Sequence, residues 1–386
     1  MKRVTQGLDG VVVATTRLSE VDGTNGRLII GGFPVEELAP HARYEEVLFL
    51  LWHDRLPNAA ERDALASALI EQRALPDATL WLLHAAARTG VEPMDALRMG
   101  IASLTPAAAD VGDRAALERV AVSLVAAFPT VIATYWRSRL GLNLPPLRRD
   151  LGHVAHYLWL LTGVEPDPAV VRALETYCNT VVDHGLNAST FAARVIVSTQ
   201  SDMCSALVGG IGALKGPLHG GAPGPALDMV FELRERAACS GRSLAEEADA
   251  HVRAVVGSGG RIMGFGHRVY RVRDPRADVL GAAAVLLAER AGDAQLFADA
   301  RTVEAVTLRV LRECKPDRRL DTNVEFYTAL LLHGIGLPTE LFTPTFALAR
   351  SGGWTAHVLE QLGDNRLIRP AAQYVGTRHS HWPHAA

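Results

Sequence analysis

The sequence predicts an all-α protein of two helical domains with a small β-ribbon at its N-terminus. Apolar residues recur at helical spacing through almost the whole chain after Pro34, the pattern of amphipathic helices packed on a core. Strand-like alternation is confined to residues 7–34, where Asp22-Gly23 and Asn25-Gly26 supply hairpin-type turns. The style breaks at His219-Gly220-Gly221 and returns at Asp321. That break suggests a smaller domain over 221–330, inserted into a larger one made of 1–220 and 331–386. A glycine-rich hinge and a cleft would lie between them.

After the ribbon, the segment from Val35 to Pro57 places Val47, Leu50 and Leu51 on one helical face and ends at the proline. Helices follow over 58–74, 76–89 and 114–139, the last stopping at Gly141 before the Pro145-Pro146 turn. Two more are expected over 150–162 and 168–184, the second starting after Pro166-Asp167-Pro168 with Val171, Leu174, Cys178 and Val181 on one stripe. Within 201–214, Gly209, Gly210 and Gly212 each cost a helix roughly 1 kcal/mol relative to Ala. Close approach to another helix, in this chain or in a second subunit, would compensate; the alternative is a break at Gly209-Gly210. The remaining helices are expected over 225–239, 244–257, 275–292, 294–314, 322–333, 343–351 and 354–362.

The bulk numbers narrow the function classes. A chain of 386 residues, 48% hydrophobic and 21% charged, has ordinary globular composition and length for a large core. The net charge of −3, with no run of Lys or Arg longer than two, argues against nucleic acid as partner. Four scattered cysteines without a CxxC pair support neither a disulfide framework nor a zinc site. No apolar signal region follows Met1-Lys2-Arg3, and the longest uninterrupted apolar run, Val279 to Ala288, is about half of a membrane span. A cytoplasmic protein that needs no membrane is the expectation.

Chemistry concentrates in three stretches. The first, Asp183 to Ala222, opens on His184 and Asn187 and closes on His219. Glycines after His219 allow a ligand close to the backbone, and a helix starting after Pro223 would disfavour the imidazolium. A neutral imidazole could then donate a hydrogen bond to an enol or enolate oxygen; an ordinary turn histidine is the bland alternative. In the second stretch, Arg261 to Arg276, His267 follows Gly264-Phe265-Gly266. No strand precedes these glycines, so a dinucleotide site is rejected. Arg268, Arg271, Arg273 and Arg276 crowd behind His267, either as a solvated face or as forks for carboxylates and phosphates. In the third stretch, Thr322-Asn323-Val324-Glu325 fits a capping box with Thr322 as cap, which competes with Glu325 as a base. Arg350 and Arg369 could be surface arginines, and His379, His381 and His384 read as a frayed terminus rather than a metal tail.

Taken together, DHGLNASTFAARV, GALKGPLHGGA, RIMGFGHRVYRVRDPRA, TNVEFY and FALARSGGWTAHVLEQLGDNRLIRP closely resemble the citrate synthase family. The opening GLDGVVVATTRLSEVDGTNGRL and EEVLFLLWHDRLP match its N-terminal pattern. The resemblance implies a nearly all-helical homodimer whose smaller domain closes over substrate. It implies condensation of acetyl-CoA with oxaloacetate to citrate and CoA, with acetyl-CoA as substrate and no metal or other cofactor. By motif, His219 would stabilise the enol of the thioester, His267 would donate to the oxaloacetate carbonyl, and Glu325 would be the base. His184, Asn187, Arg276 and Arg350 would hold oxaloacetate, with Arg369 reaching the neighbouring subunit's site. Arg261, Met263, Gly264, Phe265, Gly266 and Arg271 would contact CoA.

Two departures stand out. Glu325 replaces the usual Asp; the resemblance extends to a branch of citrate synthase-like proteins with NVEF here, so a dead enzyme is not implied. Leu28-Ile29-Ile30-Gly31-Gly32 lacks the Arg and aromatic residue the family usually carries near that turn. The alternatives are a 2-methylcitrate synthase using propionyl-CoA, and a catalytically weak paralogue that binds CoA or dicarboxylate in a regulatory role. A lyase running the reverse reaction is a more remote reading.

Overall fold

Hairpin-type turn residues and alternation at the N-terminus give an antiparallel ribbon. Strand β1 (Ser19–Asp22) pairs with β2 (Arg27–Ile30), with Ser19 opposite Ile30 and Asp22 opposite Arg27, and β3 (Phe33–Pro34) adds to β2. The Asp22 carboxylate accepts from the amides of Thr24 and Asn25, which tightens the turn. Leu28 and Ile30 enter the core, so the departures at this turn serve packing. The computed structural model describes residues 5–8, 10–107, 109–220, 223–267, 269–291 and 294–378. Arg268 and the C-terminal His379, His381 and His384 lie outside the described residues.

Beyond β3 the chain is helical: α1 (Val35–Leu38), α2 (Tyr44–His53), α3 (Ala59–Glu71), α4 (Asp77–Arg88), α5 (Pro93–Ala102), α6 (Arg114–Arg139), α7 (His153–Thr162) and α8 (Pro168–Val181). Then follow α9 (Ala188–Ser198), α10 (Met203–Leu214), α11 (Pro223–Ser240), α12 (Leu244–Gly257), α13 (Pro275–Ala291), α14 (Ala294–Cys314), α15 (Val324–Gly334) and α16 (Phe342–Gly363). Capping boxes start α3 at Asn58 and α12 at Ser243. Helix α6 is long and apolar enough to cross a membrane by composition, a signal that counting uninterrupted runs misses. Here it is a mostly buried core helix, packed against α4, α5, α7 and α16.

Glycine placement explains where the expected helices were misjudged. The expected break between 351 and 354 does not occur, because α16 runs through Gly352-Gly353 without interruption. A Cβ on Gly353 would sit 2.0 Å from the Val182 carbonyl oxygen, and one on Gly352 would sit 2.4 Å from Leu48 Cδ2. The pair lets α16 press on the end of α8 and on α2. Helix α10 is likewise continuous: Gly209 makes room for Ile196 of α9 and Gly210 for Trp354 of α16. Those two glycines therefore pack within this chain, whereas Gly212 meets nothing within 4 Å.

Helices α11 to α15 pack chiefly on one another, and α13 bridges them to α8 and α1. The expected boundary at 330 falls inside α15, which continues to Gly334. Replacing Gly353 with Ala should lower stability by about 1–3 kcal/mol, the usual cost of overpacking. That loss would outweigh a helix-propensity gain of roughly 1 kcal/mol. Urea unfolding of both proteins measures it, and a raised midpoint would contradict the packing account.

Candidate active site

The ends of several elements meet around one cavity of about 810 Å³. Its walls include His184, Asn187, His219, His267, Arg276, Glu325 and Arg350, which the chain supplies from positions up to 166 residues apart. Thus seven of the residues singled out in the sequence share one site. The N-terminal segment also reaches its wall, through Leu8, Val11 and Val13 among others.

His219 lies in the turn after α10, held by its amide to the Gly216 carbonyl. A Cβ on Gly220 would stand 2.5 Å from the Leu214 carbonyl oxygen, so the turn needs glycine there. The Ser189 amide donates to His219 Nε2 at 3.3 Å, and Ser189 Oγ lies 2.8 Å from the same nitrogen. An acceptor at Nε2 puts the ring proton on Nδ1. Ser189 is fixed in turn by α9, whose N-cap is Asn187: its side chain accepts from the Thr190 amide and from Ser189 Oγ. Asn187 is thus both a cavity residue and a cap. Burial, with Arg350 nearby, pushes the His219 pKa down to about 4, so the ring is neutral.

His267 takes the complementary tautomer. Its Nδ1 accepts from the amides of Val269 and Tyr270 at 3.0 and 3.2 Å, which puts the proton on Nε2. Burial and then Arg276 push its pKa down to about 4. Arg276 Nη2 lies 3.5 Å from His267 Nε2, so two donors converge where only an acceptor can satisfy both. His184 approaches His267 edge-on at 5.7 Å between ring centroids and meets the Tyr270 hydroxyl at 3.1 Å. Burial and Arg276 hold its pKa well below the usual value.

The two cavity arginines differ in their partners. Arg276 is buried and gripped by Asp274 through Nε at 3.0 Å and Nη2 at 2.7 Å. Burial opposes its charge, yet Asp274 raises its pKa above the ordinary value. Arg350 is also buried; its Nε donates to the Val181 carbonyl, but Nη1 finds no hydrogen-bond partner among the described residues. Burial lowers its pKa to about 10. A buried guanidinium with an unpartnered Nη1 suits a carboxylate ligand.

Glu325 is not part of a capping box. Asn323 caps α15, accepting from the Glu325 amide at 3.0 Å, while Thr322 Oγ1 turns away to Glu304. The reason is main-chain pairing: Phe265 bridges Thr322, Gly266 donates to the Asp321 carbonyl, and the Asn323 amide donates to that of Gly264. Gly264 and Gly266 both have positive φ, near 84° and 83°, which this pairing demands. The carboxyl of Glu325 is left facing the cavity. Burial pushes its pKa up to about 7, against the pull of Arg276.

A second cavity of about 620 Å³ shares His219, His267 and Glu325 with the first and is lined by Arg261, Lys315 and Arg318. Phe265 and Gly266 line it too, but Met263, Gly264 and Arg271 line neither cavity. Arg271 instead donates its amide to the Gly23 carbonyl in the ribbon turn. The sequence reading passed over Lys315 and Arg318, although the basic run Lys315-Pro-Asp-Arg-Arg precedes Thr322. Tyr270, Ser189 and Asp274 were also missed as the groups that orient His184, His219 and Arg276. Arg369 is exposed and lies outside the first cavity of its own chain. Among the described residues no cluster of three His, Cys, Asp or Glu side chains could hold a metal ion.

Comparison with known proteins fits this geometry. The family model "Citrate synthase, C-terminal domain" matches residues 7–371. The chain belongs to the citrate synthase family. The citrate synthase of Haloferax volcanii is 39% identical over 378 residues, covering 97% of this chain and 96% of that one. The 2-methylcitrate synthase of Mycobacterium tuberculosis is 38% identical over 378 residues, covering 97% of this chain and 91% of its own. The Thermoplasma acidophilum citrate synthase, solved as a ternary complex with carboxymethyl coenzyme A and oxaloacetate, superposes with a TM-score of 0.88 at 26% identity, covering 99% and 98% of the two chains. The chain is therefore an enzyme of this family's acyltransferase class.

A pH dependence follows from the site. Glu325 can accept a proton only when ionised, and its pKa lies near 7, whereas His219 and His267 are neutral above about 4. The kcat/KM for thioester should therefore fall about tenfold per pH unit on the acid side of Glu325's pKa. A flat profile from pH 5 to 8 would contradict that assignment. Stability carries the opposite sign. A carboxyl whose pKa is raised from 4.5 to about 7 loses stabilisation as pH rises through that window.

Proposed function

We propose that this enzyme is a citrate synthase, condensing acetyl-CoA with oxaloacetate and hydrolysing the product thioester to citrate and CoA. The observation that carries the reading is Arg350, buried in the cavity with an unsatisfied Nη1, beside a second buried arginine and three neutral histidines. Such a site calls for a small ligand with two carboxylates and a carbonyl. The ligands named for the Thermoplasma acidophilum complex support the same substrates.

The roles follow from the free atoms. Arg350 and Arg276 hold the oxaloacetate carboxylates, with His184 beside them. The carbonyl oxygen takes the shared position facing His267 Nε2–H and Arg276 Nη2. Acetyl-CoA enters from the second cavity, its phosphates toward Arg261, Lys315 and Arg318. Glu325 removes a methyl proton while His219 Nδ1–H donates to the thioester oxygen. The resulting enolate carbon attacks the oxaloacetate carbonyl carbon, and the alkoxide that forms, steadied by the two donors, takes up one proton in place of the one Glu325 removed, giving the hydroxyl of the product. Water then attacks the thioester and the CoA thiol leaves. Preorganised donors in a water-poor site are the main source of rate in such a step.

Release of CoA thiol with oxaloacetate, comparing acetyl-CoA and propionyl-CoA at matched concentrations, tests the substrate. Preference for acetyl-CoA is expected. Preference for propionyl-CoA would make the enzyme a 2-methylcitrate synthase, a discrimination of only about 1–3 kcal/mol for one methylene. Glu325→Gln should abolish release while oxaloacetate still binds; turnover within a few-fold of wild type would remove Glu325 as the base.

The reading includes a homodimer in which Arg369 completes the partner's site. Its exposed place on the extended tail after α16 is compatible with that reach. Arg369→Ala and Arg276→Ala chains should each be weak alone, and mixing them should restore activity through dimers with one intact site. No recovery on mixing would count against it.

A further inference from the structure

Glu304 of α14 lines neither active-site cavity and is 8% exposed. Three donors converge on its carboxylate. Arg273 Nη1 and Thr322 Oγ1 each reach Oε1 at 2.6 Å, and the Tyr327 hydroxyl reaches Oε2 at 2.5 Å. Bonds to a buried charge are the strong ones, and stranding any of these donors would be costly. Arg273 is further fixed by Asp278 at 2.6 Å and lies over the Tyr327 ring at 5.6 Å.

The origin of the donors gives the cluster its meaning. Arg273 belongs to the segment that runs from His267 to Arg276. Thr322 directly precedes Asn323, the cap of α15. Tyr327 stands two residues beyond Glu325 in that helix. The carboxylate of Glu304 therefore joins the segment bearing the carbonyl donors to the helix bearing the base. It works together with the backbone pairing of Gly264 and Gly266 to residues 321–323 and the Asp274 contact to the Val324 amide.

We propose that Glu304 is a positioning residue that sets the distance between the Glu325 carboxyl and the donors His267 and Arg276, by clamping Arg273, Thr322 and Tyr327. It touches no substrate, and this role rests on the condensation reading above.

The test compares wild type, Glu304→Gln, Tyr327→Phe and the double variant, with activity normalised to folded protein by circular dichroism. Glu304→Gln should lower kcat by roughly 10²-fold, the scale of a 1 Å misplacement. Its oxaloacetate Kd, measured by calorimetry, should stay within a few-fold, and exchange of the acetyl-CoA methyl protons should slow in parallel with kcat. The double variant should lose little beyond Glu304→Gln alone, because both changes release the same clamp. A merely structural role would lower the folded fraction and leave kcat per folded molecule and methyl exchange unchanged, which would overturn the proposal. If Glu304→Gln does not fold, Tyr327→Phe and Thr322→Val carry the test, each removing one donor. Unchanged kcat in both would overturn it equally. Absence of CoA release in the wild type would overturn the assigned reaction and this role with it, whereas wild-type turnover retained in the folded variants would overturn this role alone.

Discussion

Two guanidinium groups are buried in one cavity, and only one of them has a carboxylate to itself. Arg276 is neutralised by Asp274, while Arg350 rests on a single backbone carbonyl. Uncompensated charge in a low-dielectric place is expensive, so the fold must secure it by other means. It does so with a scaffold that packs tightly around α16, and the charge in turn dictates the state of everything nearby. His184, His219 and His267 are all held neutral by burial, and an arginine reinforces the effect in each case. Neutral rings with opposite free nitrogens can then donate hydrogen bonds without first losing a proton. A ligand with two carboxylates would relieve the cost, and anything that binds the native state in this way also stabilises it.

The scaffold that bears this cost depends on close helix contact. Gly352 and Gly353 bring α16, and with it Arg350, against Tyr44, Leu48, the Val182 carbonyl and the Asp183 carboxylate. The same helix carries His357, which meets the buried Asp183 at 3.0 Å beside His184. Trp354 of α16 donates to the hydroxyl of Ser189, the residue whose amide fixes the His219 tautomer. One helix thus places a guanidinium, holds Asp183 next to His184 in the chain, and orients a third group through Ser189. Close packing of this kind transmits small displacements, since interiors are dense and yield little.

Much of this was legible in the sequence, and the reasons for the failures are physical. Helix starts with strong caps, such as Ser243 before α12, fall where spacing puts them. The split expected at Gly352-Gly353 failed because glycine was read for its backbone freedom, when here it serves as the absence of a side chain. The Thr322 cap failed for a similar reason: local spacing was right for a capping box, but long-range pairing with Phe265 and the pull of Glu304 moved the cap to Asn323. Seven of the residues singled out by motif gathered in one cavity, whereas Lys315 and Arg318 were passed over because basic residues in a turn look like ordinary surface. Ser189 and Glu304 could not be found by pattern at all. Their importance lies in which distant donors and acceptors they meet.

The Glu at position 325 shows how these constraints combine. A carboxyl with a longer arm has more rotamers to lose and a larger volume to sweep, so the same chemistry demands a firmer helix start. The N-terminus of α15 is held by Asn323 as cap, by the pairing of residues 321–323 with the glycine loop, and by Asp274 at the Val324 amide. Asp274 is the same carboxylate that neutralises Arg276, so the grip on the helix start before Glu325 and the grip on the Arg276 guanidinium share one group. Burial raises the Glu325 pKa to about 7 while Arg276 restrains it, so both protonation states are populated near neutral pH. A shorter side chain on this backbone would move the carboxylate relative to both the burial and the Arg276 charge that set its pKa. The side chain at position 325 is therefore tied both to the geometry of the helix start and to the charge of the site.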